Sequence, residues 1–160
     1  MSADQSLRRH LVNLLGMQGA HVSLDDVVDR IPAAAYGKTS QGIPWSPWQL
    51  LEHMRIAQWD ILEFSRNPSH QSPEWPAGYW PKAAEPADAA DWQASVEGFR
   101  HDLAEMKRLI MDSDRDLHET FSWGDGQTLL REALLVADHN AYHLGQLVAL
   151  ARALGVWVAA

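Results

Sequence analysis

Apolar residues recur along this chain at intervals of three and four, and nowhere do they alternate with period two over a strand's length. Leu7, Leu11, Leu14 and Leu15 make one stripe, which predicts a helix over residues 3–15 that stops near Gly16 and Gly19. Ser23 is a good N-cap for a short helix running through Leu24, Val27 and Val28 to Pro32. Residues 36–44, with Gly37, Gly42 and Pro44, read as loop. The second main helix starts at a Ser46 cap with Pro47 in its first turn, and Asn67-Pro68 stops it just after residue 65. Residues 69–86 are irregular, carrying Pro73, Pro76, Pro81 and Pro86 among Trp75, Tyr79 and Trp80. Trp92, Val96, Phe99, Leu103, Met106 and Ile110 then mark a third helix over about residues 88–111. A polar bridge over 112–125 leads to a fourth, beginning near residue 127 and running to 154, with Gly155 as its stop. The pattern predicts an all-α four-helix bundle with a long irregular crossover between helices 2 and 3, as one domain over residues 1–160.

Composition narrows the chemistry. A chain of 160 residues buries a core without covalent staples, and with no cysteine any metal must be held by nitrogen and oxygen. A net charge of −8 argues against nucleic-acid binding, which depends on neutralising phosphates. No apolar run reaches the length of a membrane span, and the polar first residues have no signal-like core, so a cytoplasmic location is expected. Eight tryptophans suggest either a well-filled core or an aromatic-lined cleft.

The candidate chemistry lies in the fourth helix, in Asp138-His139-Asn140-Ala141-Tyr142-His143-Leu144-Gly145-Gln146. Positions i and i+4 share a helix face, so His139 and His143 can point at one ion. With 8 histidines in the chain, chance alone supplies roughly 0.4 such pairs, so the setting has to carry weight. Leu135, Val136, Leu147 and Leu150 put both imidazoles on the apolar stripe. His53 lies on another such stripe, with Leu50, Ile56 and Ala57 around it. Three core-facing imidazoles need partners, since an unpaired buried polar group costs about 1–3 kcal/mol. A shared divalent metal is one explanation, with a position left open for water or substrate. Separately hydrogen-bonded core histidines are the other.

Asn140 stands where a zincin would carry its glutamate, which excludes that route to peptide hydrolysis. Glu132, two turns before His139, and Asp60, two turns after His53, are the acids placed to act as base or supporting carboxylate, although solvated acids on helix flanks look the same in a sequence. Gln146 shares the histidine face and can accept an imidazole N–H. Trp59 and Tyr142 read as core or pocket wall. His10, His70, His101 and His118 read as surface, and His21 as a loop–helix junction. No phosphate-cradling glycine loop or nucleophile elbow occurs. The aromatic segment of residues 72–81 is expected to fold across the bundle, as a plug or as a wall of the substrate entrance.

Trp45-Ser46-Pro47-Trp48-Gln49-Leu50-Leu51-Glu52-His53-Met54 and the run from His139 through Gln146 resemble the DinB-like superfamily of metal-binding four-helix bundles, which includes YfiT-type and thiol-dependent S-transferase-like proteins. The similarity spans nearly the whole length. It implies a metal triad at His53, His139 and His143, with zinc or nickel as the ion, and often a homodimer. Relatives commonly carry Arg after the last histidine, where this chain has Leu144.

Three functions follow as expectations. The first is a metal-dependent transferase that activates a low-molecular-weight thiol against a small-molecule electrophile. The second is a metal-dependent hydrolase with Glu132 or Asp60 as base. The third is a non-catalytic, metal-binding stress-response bundle, which would normally need a fourth protein ligand.

Overall fold

The structure is a computed structural model that describes residues 1–17 and 19–157. It contains five α-helices: α1 (Ala3–Leu15), α2 (Leu24–Val28), α3 (Pro47–Arg66), α4 (Ala89–Met111) and α5 (Leu129–Ala153). Single turns of 3-10 helix at Ala33–Ala35 and Ala77–Tyr79 punctuate the connections. Among the described residues there is no strand, only isolated bridges between Ser40 and Ile43 and between Thr120 and Thr128. The fold is all-α, with α2 as a short addition to four long helices.

Local chemistry sets the helix ends. Ser2, Ser23 and Ser46 each cap a helix through a reciprocal capping box, with Gln5, Asp26 and Gln49 as the returning side chains. Pro47 fits the first turn of α3, where its missing N–H has no partner to lose. Asn67, extended ahead of Pro68, closes that helix. The last helix begins slightly later than its sequence pattern implies, at Leu129, because Thr128 is its cap. It ends where Gly155 turns into the left-handed region at φ 72°, which a residue with a Cβ rarely adopts.

α3 lies at the centre, packed on both α4 and α5, while α1 covers the other side of those two helices. The apolar interior falls into two clusters. One gathers Leu50, Leu51, Met54, Trp92, Leu144 and Leu147, and the other Leu15, Leu62, Met106, Ile110, Ala133 and Val136. Between them, buried Gln58 on α3 donates to the Phe99 carbonyl on α4 at 2.7 Å and accepts from Asn140 on α5 at 2.9 Å. This polar layer lies next to His139 on α5 and five residues beyond His53 on α3. At the far end Arg8, buried in α1, donates to the carbonyls of Ile110, Asp112 and Arg115 and so ties down the end of α4.

Candidate metal centre

The Ser46–Pro47 start fixes the phase of α3 so that Leu50, His53, Met54 and Ala57 all face inward. On α5 the buried stripe runs Val136, Asn140, His143, Leu147, with His139 on its flank. Packing α3 against α5 therefore brings His53, His139 and His143 together. Their potential ligating atoms all lie within 4.8 Å of one another, and among the described residues no other group of three His, Asp or Glu side chains does this. His53 is 3% exposed and His143 9%, with His139 half-buried.

Hydrogen bonding fixes two of the three tautomers. Nδ1 of His53 lies 2.8 Å from the Tyr79 carbonyl, which can only accept, so Nδ1 carries the proton. Nδ1 of His143 donates in the same way to Gln146 Oε1 at 2.8 Å. In the neutral rings both Nε2 atoms then present bare lone pairs, yet they lie 3.1 Å apart. His139 Nε2 is also 3.1 Å from His53 Nε2. Two lone pairs at that distance repel unless a cation lies between them. Two nitrogens bound to one tetrahedral zinc would be about 3.3 Å apart, close to what is seen. The donor set fits a divalent ion.

The electrostatics agree. Burial lowers the pKa of all three histidines, and it is the largest cause for each. His139 is lowered furthest, to about 4, with the neighbouring His143 and His53 adding to the effect of burial. Neutral imidazole is the ligand form, so the fold holds the cluster ready to coordinate at ordinary pH. His139 Nδ1 is a buried nitrogen with no hydrogen-bond partner among the described residues.

The crossover closes over this cluster. Trp80 stacks on His53 with ring centroids 3.8 Å apart and planes 3° from parallel, and Trp45 stacks on Trp80 at 4.1 Å. Of the aromatic segment of residues 72–81, Tyr79 and Trp80 thus wall the site, while Trp75 is largely exposed. Tyr142 stands edge-on to His143 at 4.8 Å and is 64% exposed. Trp59 is also at the surface, edge-on to His70.

Glu132 and Asp60 are both buried and line a separate cleft of about 190 Å³ with Ile61, Phe64, Arg131 and Leu135. Seven helical residues separate each acid from its histidine, about 10 Å along the axis. Glu132, only 2% exposed, accepts from Arg131 at 2.7 Å, and burial raises its pKa despite that partner. Both oxygens of Asp60 are engaged: Oδ2 accepts from the Tyr79 hydroxyl at 2.6 Å and Oδ1 from His70 Nε2 at 2.7 Å.

His70 corrects its sequence reading, since its side chain is largely covered and paired to Asp60. Its polar sequence neighbours suggested surface, and only the path of the crossover brings it back onto α3. His10, His21, His101 and His118 are exposed. Tyr79 and Trp80 are the residues whose roles at the site the sequence did not specify, although their place among prolines marked the segment. Leu144 is buried in the larger apolar cluster, where an arginine would be an unpaired charge.

A family model described as the DinB superfamily matches residues 18–147, which includes all three histidines. No curated protein and no solved structure matches the chain. None of the described helices is long and apolar enough to cross a membrane.

Proposed function

The chain belongs to the DinB superfamily, and from that premise we propose that it is a metal-dependent transferase acting on a small electrophilic substrate with the thiol of a low-molecular-weight cofactor. Its ion, zinc or nickel, is held by His53, His139 and His143. The observation that supports the metal in this reading is the pair of oriented tautomers whose lone pairs face each other across 3.1 Å, while the thiol comes from the resemblance to thiol-dependent relatives. When bound, the ion would lower the pKa of a coordinated thiol so that it reacts as thiolate near neutral pH.

The chain's own residues do the rest. Tyr79 and Gln146 hold the imidazoles of His53 and His143 in the ligating tautomer. Trp80 and Trp45 exclude water from one side of the cluster. Exposed Tyr142 marks the side from which a substrate would approach. The nucleophilic sulfur has to come from outside, since the chain has no cysteine. A homodimer without bound nucleic acid completes the reading, the charge of −8 opposing phosphate contact.

Metal content by mass spectrometry on untagged protein tests the proposal. Near-stoichiometric zinc or nickel in the wild type, lost in His143→Ala, is expected, followed by metal-dependent consumption of a low-molecular-weight thiol against a panel of electrophiles. No metal after reconstitution with either ion would overturn it.

One observation favours hydrolysis as a second reading. Burial raises the pKa of the Glu132 carboxyl from its ordinary value, which favours proton uptake there, and from about 10 Å along α5 it would reach a metal-bound water only through further water. Turnover without added thiol that is lost in Glu132→Gln would select this reading. A purely structural ion is less well supported, because only three ligating side chains converge among the described residues.

A further inference from the structure

Asp60 lies too far along α3 to touch the histidine cluster, yet its carboxylate is bound into the segment that does. The crossover meets Asp60 twice, first at His70, four residues past the end of α3, and again at Tyr79. His70 donates to Oδ1 at 2.7 Å, and the Tyr79 hydroxyl donates to Oδ2 at 2.6 Å. Tyr79 thereby has both ends fixed. Its ring end sits on Asp60, and its backbone carbonyl accepts the Nδ1 proton of His53 at 2.8 Å. The next residue, Trp80, lies flat on the His53 ring. Aromatic contacts brace the same assembly, with Trp75 edge-on to Tyr79 at 5.4 Å and Trp59 edge-on to His70 at 5.2 Å. Near its far end, the crossover is tied to α3 by the Ser46 hydroxyl, which donates to the Ala84 carbonyl.

We propose that Asp60 is a positioning residue for the metal centre: by gripping Tyr79 and His70 it fixes the carbonyl that orients His53 and the indole that covers it. A carboxylate suits this task because it accepts two strong hydrogen bonds at once, from two donors nine residues apart in the crossover. Its burial excludes water that would compete for those donors. Tyr79 is the linking piece. Its phenol is held protonated, pushed up to about 12 by burial and by Asp60, so it remains a donor at every pH at which the protein would work. Without the grip, the Tyr79 carbonyl is free to leave Nδ1 of His53, and the imidazole loses both its fixed tautomer and its orientation.

The inference rests on the metal-binding reading for one of its two tests, and the other is independent of it. In the first, zinc affinity of the full-length chain is measured by competition with a chromophoric chelator for wild type, Asp60→Asn and Tyr79→Phe. Losing a partner of this kind typically weakens metal binding by about 10–100-fold, and that loss is expected in both variants. Because Asp60 acts largely through the Tyr79 hydroxyl, Asp60→Asn should weaken binding much less in a Tyr79→Phe background than in wild type. A general loss of packing would instead add to the Tyr79→Phe effect. In the second test, the metal-free protein should show a protected His53 Nδ1–H resonance in ¹H–¹⁵N spectra, broadened or lost in both variants while the amide spectrum stays dispersed. Wild-type affinity in both variants, or an undisturbed resonance, would overturn the proposal. Failure of the wild type itself to bind zinc would defeat the metal reading and leave the resonance to decide the role of Asp60.

Discussion

A histidine that stays neutral in the folded chain, but protonates freely once unfolded, makes stability depend on acid. His139 is such a residue, its pKa depressed to about 4 chiefly by burial, and His53 and His143 are shifted in the same direction. As pH falls below about 6.5, the unfolded chain takes up protons that the folded cluster refuses. The metal-free protein should therefore keep its full stability above that value and lose it progressively down towards pH 4. Thermal melts in chelator at pH 7.5 and pH 5 should show a lower Tm at pH 5, and a smaller difference for His139→Gln. An unchanged difference in that variant would remove His139 from the explanation. At this scale the sequence was informative because i,i+4 spacing and apolar flanks are local facts. His70 was misread because its partner, Asp60, lies on a helix that the loop has to double back to reach.

Helices and their ends were legible for a similar reason. Ser46, Pro47 and Asn67-Pro68 act on their immediate neighbours, and α3 starts and stops within a residue of where they place it. The crossover was legible only as an aromatic segment bound to cover something, since irregular backbone has no period to read. Which carbonyl meets which imidazole depends on its path. Ser46 joins the two kinds of element, accepting from Gln49 N–H as the cap of α3 while donating to the Ala84 carbonyl of the crossover. Ser46→Ala should cost about 1 kcal/mol for the lost cap, read as a lower urea midpoint. It should also speed amide exchange towards the end of the crossover more than in α5. Equal exchange in both would show that the hydroxyl does not tether the loop.

For the whole molecule, the site is a property of the packed state. His53 is 86 residues from His139 and 90 from His143, so the unfolded chain offers no comparable cluster. An ion that binds only the folded form at a hundred times its Kd contributes about 2.7 kcal/mol. For a chain of this size, chelation should then lower Tm by roughly 5–10 °C, and His53→Ala should show no chelator effect. The two apolar clusters and the polar layer between them explain why one sequence serves both stability and chemistry, with the ligands on the stripe that drives α3 onto α5. The stacked indoles over His53 add an optical consequence. Trp80 lies against a ring that would share electrons with the bound ion. An open-shell ion such as nickel should quench its emission at stoichiometric loading, whereas closed-shell zinc should leave it bright, and Trp80→Phe should reduce the contrast, with Trp45 left as the next indole. The chain would carry its own fluorescent readout of which ion it has taken up.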